Sequence, residues 1–217
     1  MARWRTSDAL VLVAGGGLAR EAAESAAAQG HRVVGCLDDA LGRGDEIAPG
    51  IPVLGTVDEV VSLGDVDLVV CSGKGLSRAR LVERLRLLGV ADRVYVTVVD
   101  PSARVANRCE VGSGSVLLAG TVLTADVSLG QHVVVMPNAV LTHDCVVEDF
   151  ATICAGVALG GGVRVGRSAY LGMACSVREN RSVGAEAVIG MGAVVLADVP
   201  GGQVWAGVPA APITSTR

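Results

Sequence analysis

The chain has 217 residues, of which 51% are hydrophobic and only 2% aromatic, and it carries a formal net charge of −4 at neutral pH. This length suffices for two modest domains whose cores are built from Val, Ala, Leu and Gly rather than from aromatic rings. The absence of a basic stripe argues against a nucleic-acid partner, and the lack of a long apolar run and of a signal peptide predicts a cytoplasmic protein with no membrane partner.

The chain opens with a strand, a glycine loop and a helix. An apolar run over 8–14 ends in the glycine triplet 15–17, and a strongly helix-forming segment follows over 18–29. A second strand over 31–37 leads directly into Asp38 and Asp39. This order is typical of a dinucleotide-type α/β unit, in which glycines let the backbone approach a phosphate and a carboxylate holds a ribose hydroxyl. The Gly-x-Gly-x-x-Gly spacing is not met, so a tight turn without a ligand is the alternative interpretation.

The rest of the first domain alternates loops, strands and helices. The predicted elements are, in order, a loop over 40–55, a short helix over 56–63 with Thr56 as N-cap, a strand over 67–71, a helix over 76–88 and a strand over 94–99. Asp100 and Pro101 then mark a domain boundary, because proline interrupts strand pairing.

From residue 105 onward a six-residue period organises the sequence. Sixteen consecutive positions at this spacing, from Val105 to Val195, are aliphatic. The residue two positions earlier is small or compact, with Arg181 as the one clear exception. Neither the period of a helix nor that of a half-buried strand fits. Flat faces of six residues, three to a coil, predict a solenoid of about five coils stacked strand on strand, with one aliphatic at each inner corner.

Cysteine and histidine usage gives no indication of a metal site. The six cysteines form no Cys-x-x-Cys pair, and three of them, Cys109, Cys145 and Cys175, occupy the small inward position of the repeat. Only two of the three histidines lie on the repeat, whereas a β-helical carbonic anhydrase would need three. One of these, His143, stands two residues past an inner aliphatic and is expected to point outward.

The hexad pattern resembles that of the hexapeptide-repeat acyltransferases, whose fold is the left-handed parallel β-helix. Nearly the whole chain resembles a narrower group, the nucleotide-sugar acetyltransferases that join a small Rossmann-like domain to such a β-helix. This group includes enzymes that N-acetylate UDP-linked 4-amino sugars and sialic acid O-acetyltransferase relatives. The segments that carry the resemblance are 15–21, 37–39, Gly73, 100–103, 141–145 and 206–210.

Three segments are therefore predicted. Residues 1–99 form an α/β, Rossmann-like nucleotide-binding domain, and residues 100–204 form a left-handed β-helix acyltransferase domain. Residues 205–217 form a tail that closes over the cofactor groove, with a plain cap of the β-helix as the alternative interpretation.

The resemblance implies an acetyl-CoA-dependent N-acetyltransferase that acts on a nucleotide-linked amino sugar. Acyl transfer to an amine needs a base that accepts the proton as nitrogen attacks, and His143 lies in the segment that matches the family's catalytic one. Asp144 maps onto the acidic residue thought to increase the basicity of this histidine. Because adjacent residues on a strand point to opposite faces, that role requires a turn in the chain at this point. Direct attack on the thioester, with backbone N–H groups stabilising the oxyanion, is the expected mechanism.

The same resemblance implies the binding sites. In this family acetyl-CoA lies between two neighbouring β-helices of a homotrimer, and the corresponding positions here are Thr152, Gly161, Met173 and Met191. The corresponding nucleotide positions are Gly16, Gly17, Leu18, Asp38, Asp39 and Gly73. The cofactor contacts are expected mostly through backbone. The chain departs from the family at Leu18, where histidine is general, and at Thr152, where a similar family member has histidine. Lys74 or Arg78 is the hypothesised replacement for the polar group missing at Leu18.

Other functions remain open at this point. The acceptor is alternatively a sugar hydroxyl, as in sialic acid O-acetylation, or another small amine. A different class of function is a non-catalytic nucleotide-binding scaffold that retains the fold. Replacing His143 distinguishes the scaffold from an enzyme, because only an enzyme loses turnover.

Overall fold

The structure, a computed structural model, describes residues 9–213 and contains an α/β domain followed by a three-faced parallel β-helix. It confirms the predicted fold class, a Rossmann-like domain followed by a left-handed parallel β-helix. The predicted start of the first strand at residue 8 and the end of the tail, residues 214–217, lie outside the described residues. Within 9–213, neither α-helix has the length and apolar character needed to cross a bilayer.

A five-stranded sheet forms the α/β domain. Its strands are β1 (Leu10–Val13), β2 (Val33–Leu37), β3 (Glu46–Ala48), β4 (Ile51–Gly55) and β5 (Asp67–Val70), in the spatial order β3-β4-β2-β1-β5. Only β3 is antiparallel to its neighbour. Helices α1 (Gly17–Ala28) and α2 (Gly75–Leu87) pack on opposite faces of the sheet. Alternate residues of β1 serve the two faces, as the two-residue period of a strand requires.

Residues 40–55 were predicted as a loop, and that prediction is wrong. The segment contains β3 and β4, joined through Gly50, whose φ is +76°. Val53 of β4 pairs beside Cys36 and is only 1% exposed, so burial against β2 outweighs the turn-forming composition. The short helix predicted next is a 3₁₀ helix over Val57–Ser62, with the Thr56 N–H donating to the Glu59 carboxylate at 2.7 Å.

The strand predicted over 94–99 is also wrong as a single strand of the α/β sheet. A 3₁₀ helix spans Asp92–Val94, and Tyr95 makes only an isolated bridge to Leu68. Strand β6 (Val98–Val99) pairs instead with Val116 and Leu117 of the β-helix. The apolar composition correctly indicated a strand at Val98–Val99, but this strand pairs with Val116–Leu117 of the β-helix and not with the α/β sheet.

The β-helix is a prism with three faces, whose strands are parallel except for the last one of the chain, which is antiparallel to its neighbour. Face 1 contains β7 (Arg104–Val105), β10 (Val122–Leu123), β13 (Val140–Leu141), β16 (Ala158–Leu159), β19 (Ser176–Val177) and β22 (Val194–Val195). Face 2 contains β8 (Glu110–Val111), β11 (Ser128–Leu129), β14 (Val146–Val147), β17 (Arg164–Val165) and β20 (Ser182–Val183). Face 3 contains β6, β9 (Val116–Leu117), β12 (Val134–Val135), β15 (Thr152–Ile153), β18 (Tyr170–Leu171), β21 (Val188–Ile189), β23 (Val204–Ala206) and β24 (Ala211–Pro212).

The hexad aliphatics fill the interior of the prism. Fourteen of the sixteen are buried, and the other two, Val105 and Val111, lie half-buried in the first coil. Cys145 and Cys175 are fully buried beside them, as the inward register predicts. Each strand residue pairs with the residue one coil, or 18 positions, later, as Val122 does with Val140. The period of the sequence therefore sets the register in which the strands pair.

The α/β domain packs on face 3 and on edge 2–3, the corner between faces 2 and 3. Helix α1 shares an apolar cluster with the outer side of face 3, including Val116 and Val134. On edge 2–3, His132 stacks on Phe150 with ring centroids 5.1 Å apart, and Tyr95 meets His132 edge-on at 4.7 Å. Burial, assisted by the charge of Arg78, lowers the pKa of His132 to about 4.

The low pKa of His132 predicts a specific loss of stability in acid. The neutral ring is favoured in the folded chain, so its contribution is complete above the unfolded value near 6.5 and declines as pH falls toward 4. The expected loss is about 3 kcal/mol across that window. His132→Asn keeps a residue suited to the positive φ there but removes the titration. Urea unfolding between pH 7 and pH 4 should show a shallower decline for this variant, and equal slopes would contradict the prediction.

Candidate active site

His143 and Asp144 form a tight turn on edge 1–2, the corner between faces 1 and 2. Strand β13 ends at Leu141 and β14 begins at Val146, and Asp144 adopts a left-handed conformation with φ of +61° between them. This turn brings both side chains to the same outer surface, where the His143 ring is 66% exposed. The His143 Nδ1 lies 2.7 Å from the Asp144 Oδ2. The turn that the predicted pairing required is therefore present.

Gly161 lies one coil further along the same edge, directly against the His143 ring. A β-carbon on Gly161 would lie 2.3 Å from the ring Cε1, so only glycine leaves room for the imidazole. The Gly162 N–H donates to the His143 carbonyl at 2.9 Å and ties the two turns together. The glycine backbone thus forms the floor beneath the histidine.

Met173 and Met191 lie on a different corner, edge 3–1, between faces 3 and 1. Their side chains are 54% and 78% exposed, which is unusual for methionine in so apolar a protein. The C-terminal tail runs beside them, because the Val194 N–H donates to the Gly207 carbonyl at 3.0 Å. Trp205 also packs on the end of the core, so the described tail both caps the prism and borders this edge.

Thr152 does not share a surface with the other predicted cofactor residues. Its side chain is fully buried where the α/β domain meets edge 2–3. Its hydroxyl donates to the Gly73 carbonyl at 2.9 Å and accepts from Arg78 at 3.1 Å. The Thr152 side chain therefore makes a contact between domains, a role that no local sequence pattern indicates, and the cofactor contact implied for this position stays a prediction.

The predicted nucleotide residues do converge, at the carboxyl ends of β1, β2 and β5. Gly16 and Gly17 begin α1 after β1, and Gly73 follows β5, which is the neighbour of β1 in the sheet. The chain passes from β1 to β2 on one side and to β5 on the other, which places the two helix starts at a topological switch point. Neither α1 nor α2 has a side-chain hydrogen bond at its N-cap. Leu18 is 7% exposed and packs into the core, so it does not reach this edge.

Asp38 and Asp39 lie at the same edge, but the protein itself occupies their carboxylates. Asp38 accepts the Gly15 N–H at 2.7 Å and two backbone N–H groups of the following loop. Asp39 pairs with Arg84 and accepts the Val57 N–H at 3.1 Å. The hydrogen bond from Arg84 holds the pKa of Asp39 below its usual value. Asp38 therefore holds the glycine loop, whereas Asp39 links the end of β2 to α2 and to the start of the 3₁₀ helix.

A cavity of about 890 Å³ opens between the loop after β5 and the outer side of face 3. The α/β domain contributes Lys74, Ser77 and Arg80, and face 3 contributes the side chains of Met136, Tyr170 and Val188. Lys74 is the sole lysine of the chain, and its side chain makes no hydrogen bond or ion pair within the described residues. Arg78, the other hypothesised cation, is fully buried and is excluded from this role.

Sequence reasoning missed Tyr170 and Met136 as lining residues. The available signal was Tyr170, one of five aromatic residues in the chain, in an outward register of the repeat. The sequence could not indicate that Tyr170 lies on the face against which the α/β domain packs. Within residues 9–213, no group of three or more His, Cys, Asp or Glu side chains is arranged to hold a metal ion.

Solved structures of known proteins are similar to this chain along nearly its whole length. Residues 9–85 match the family model of the PglD N-terminal domain. The acetyltransferase domain of PglB from Neisseria gonorrhoeae FA1090, solved with acetyl coenzyme A, is 32% identical with a TM-score of 0.88; the match covers 95% of this chain and 100% of that one. A variant of perosamine N-acetyltransferase from Caulobacter crescentus, solved with CoA and GDP-perosamine, is 29% identical with a TM-score of 0.89, over 99% of this chain and 100% of that one.

A curated relative matches over a shorter stretch. Acyl-[acyl-carrier-protein]--UDP-N-acetylglucosamine O-acyltransferase from Thiobacillus denitrificans is 34% identical over 112 residues, which is 48% of this chain. The chain covers 43% of the length of that relative, less than half.

The close packing of Gly161 predicts that a single methyl group displaces the His143 ring. In Gly161→Ala the new β-carbon would overlap the imidazole, and the exposed ring rotates away because the backbone beneath it is fixed by the ladder. A crystal structure of the variant should show the Nδ1–Oδ2 contact to Asp144 broken while the strands on either side are unchanged. A ring that keeps its wild-type position would contradict this account.

Proposed function

This chain belongs to the hexapeptide-repeat acyltransferase family, and on that basis we propose that it transfers the acetyl group of acetyl-CoA to the amino group of a nucleotide-linked amino sugar. The observation that carries the proposal is the His143–Asp144 turn, held on Gly161 and exposed on an edge of the prism. The convergence of two helix starts at the sheet edge supports the nucleotide part of the substrate.

In the proposed reaction His143 is the general base. With Nδ1–H donating to the Asp144 carboxylate, Nε2 carries the free lone pair and lies beside Gly161. The acceptor nitrogen forms a bond to the thioester carbonyl carbon, and His143 Nε2 takes its proton. The carbon–sulfur bond then breaks, and Nε2 returns the proton to the leaving sulfur, so that CoA leaves as the thiol and the base is regenerated. Backbone N–H groups stabilise the negative charge on the carbonyl oxygen. No protein nucleophile takes part, and Cys145 is buried in the prism with its pKa raised by that burial.

The nucleotide diphosphate is proposed to bind where α1 and α2 begin. Backbone N–H groups at a helix start and the helix dipole favour an anion there. Lys74 supplies a mobile positive charge in place of the polar group missing at Leu18. Asp38 acts by holding the glycine loop and Asp39 by its contacts with Arg84 and Val57, rather than by direct contact with ribose.

The working unit is proposed to be a homotrimer with each site between two subunits. In a triangular prism edge 1–2 lies opposite face 3, so His143 and the α/β domain are on opposite sides of one chain. The predicted cofactor residues divide in the same way, with Gly161 on edge 1–2 and the two exposed methionines on edge 3–1. A neighbouring copy that presents edge 1–2 beside edge 3–1 completes the site.

A cytoplasmic location is proposed for the enzyme. Its six cysteines are free and five of them are buried, a usage typical of a reducing compartment.

Replacing His143 tests the catalytic proposal. The assay measures release of the CoA thiol from acetyl-CoA with a panel of acceptors: nucleotide-linked amino sugars, nucleotide-linked sugars with hydroxyl acceptors, and free amines. The wild-type chain should be active with a nucleotide-linked amino sugar. His143→Ala should lower kcat by about 10²–10⁴-fold because proton transfer is lost, while CoA binding by calorimetry is retained. Activity confined to free amines, without any response to nucleotides, would remove the substrate assignment, and an unaffected kcat would remove the base.

Mixing two inactive variants tests the shared site. His143→Ala lacks the base, and Asp38→Ala disrupts the glycine loop at the other side of the chain. If each site takes His143 from one subunit and the nucleotide loop from another, co-expression at equal levels should restore about a quarter of the wild-type sites. If both groups come from the same chain, the mixture should stay as inactive as the two variants alone.

A further inference from the structure

The loop that follows β5, residues 72–75, is fixed to edge 2–3 of the β-helix at three points. The Ser72 carbonyl accepts a hydrogen bond from Arg78, and the Gly73 carbonyl accepts one from Thr152 at 2.9 Å. Gly75 lies so close to the Phe150 carbonyl that a β-carbon would approach its oxygen to 2.2 Å. The α/β domain therefore does not set the position of this loop alone.

Arg78 is the centre of this contact. Its guanidinium is fully buried and donates to the carbonyls of His132 at 2.9 Å, Phe150 at 2.8 Å and Ala151 at 3.0 Å, besides Ser72. It also donates to the Thr152 hydroxyl, so the two side chains form one network. Burial lowers the pKa of Arg78 to about 10, which leaves the group charged at neutral pH. Its planar fork joins two successive coils at edge 2–3 of the β-helix to the loop 72–75.

Joining two domains through a buried cation carries a free-energy cost. Arg78 has no carboxylate partner within the described residues, and a buried cation contributes less to stability than a well-packed apolar side chain of similar size. The Tyr95 hydroxyl, the His132 Nδ1 and the Ser168 hydroxyl near the same edge are buried without a hydrogen-bond partner in residues 9–213. Local costs of this kind are expected where geometry rather than stability is required.

We propose that Arg78 and Thr152 are positioning residues, which set the loop 72–75 at a fixed height above face 3 and so determine how tightly the nucleotide-linked substrate is held. The inference rests on the proposed function, in which this loop and Lys74 contact the diphosphate. Neither residue touches the substrate, since both are fully buried. The β-helix thereby controls substrate affinity in a domain that is formally separate from it.

Thr152→Val gives the cleanest test, because it removes one hydroxyl and keeps the size of the side chain. Loss of the bond to Gly73 should raise KM for the nucleotide-linked sugar by about tenfold, while kcat and KM for acetyl-CoA change little. Arg78→Met should raise the same KM by about a hundredfold, and Arg78→Lys should restore part of the loss.

Leu85→Ala serves as the matched control for lower stability. Leu85 is fully buried on the same helix α2 but packs in the apolar cluster on the far side of the sheet. It should lower the melting temperature without a selective change in the KM for the sugar nucleotide. Gly75→Ala, which pushes the same loop away from Phe150, should instead reproduce the KM effect of the Arg78 variants.

The outcomes distinguish this inference from the proposed function. If wild-type protein acetylates no nucleotide-linked amino sugar, the proposed function fails. If wild-type protein is active but Thr152→Val, Arg78→Met and Gly75→Ala lose only melting temperature, as Leu85→Ala does, the positioning role is overturned. A rise in KM for acetyl-CoA equal to that for the sugar nucleotide would also overturn it, because the loop would then not act selectively.

Discussion

The parallel ladder of the β-helix, with one aliphatic side chain at each inner corner, is the constraint on which the rest of the structure depends. Each coil is held only by the coil before and after it, so position along the sequence converts directly into height on the prism. His143 and Gly161 meet because they are one coil apart on the same edge. An inserted residue between them, if not accommodated as a local bulge, would shift every later residue by one position, so that inward side chains would point outward.

The corners of the β-helix contain both its strained backbone conformations and the His143–Asp144 pair. Nine non-glycine residues of the β-helix adopt a positive φ, among them Asp144, Phe150 and Asn138. Each left-handed residue costs about 1–2 kcal/mol relative to the ordinary helical conformation, and the ladder bonds on both sides enforce it. At Asp144 the same conformation turns a carboxylate toward the preceding histidine. A structural requirement of the prism therefore produces the pairing that a general base needs.

The second organising feature is the junction between domains. Helix α1 seals the apolar part of the contact against face 3, whereas Arg78 and Thr152 provide the polar part on edge 2–3. The cavity beside Lys74 has one wall from each domain, so its shape depends on both. The α/β sheet supplies the edge at which a nucleotide binds in such folds, and face 3 of the β-helix supplies the opposite wall of the cavity at that edge.

The sequence by itself determined the β-helix, both α-helices and the outward position of His143. A strict period and strong local propensities can be recognised without knowledge of distant contacts, so these elements were predictable. It also indicated the residues of the glycine loop. The structure alone decided which faces oppose each other, because that depends on how coils stack and where the α/β domain packs. It showed that the Thr152 side chain lies at the domain junction, that the Asp38 and Asp39 carboxylates are occupied by contacts within the α/β domain, and that Lys74 rather than Arg78 is exposed. These are long-range hydrogen-bonding choices between residues far apart in sequence, and no local pattern encodes them.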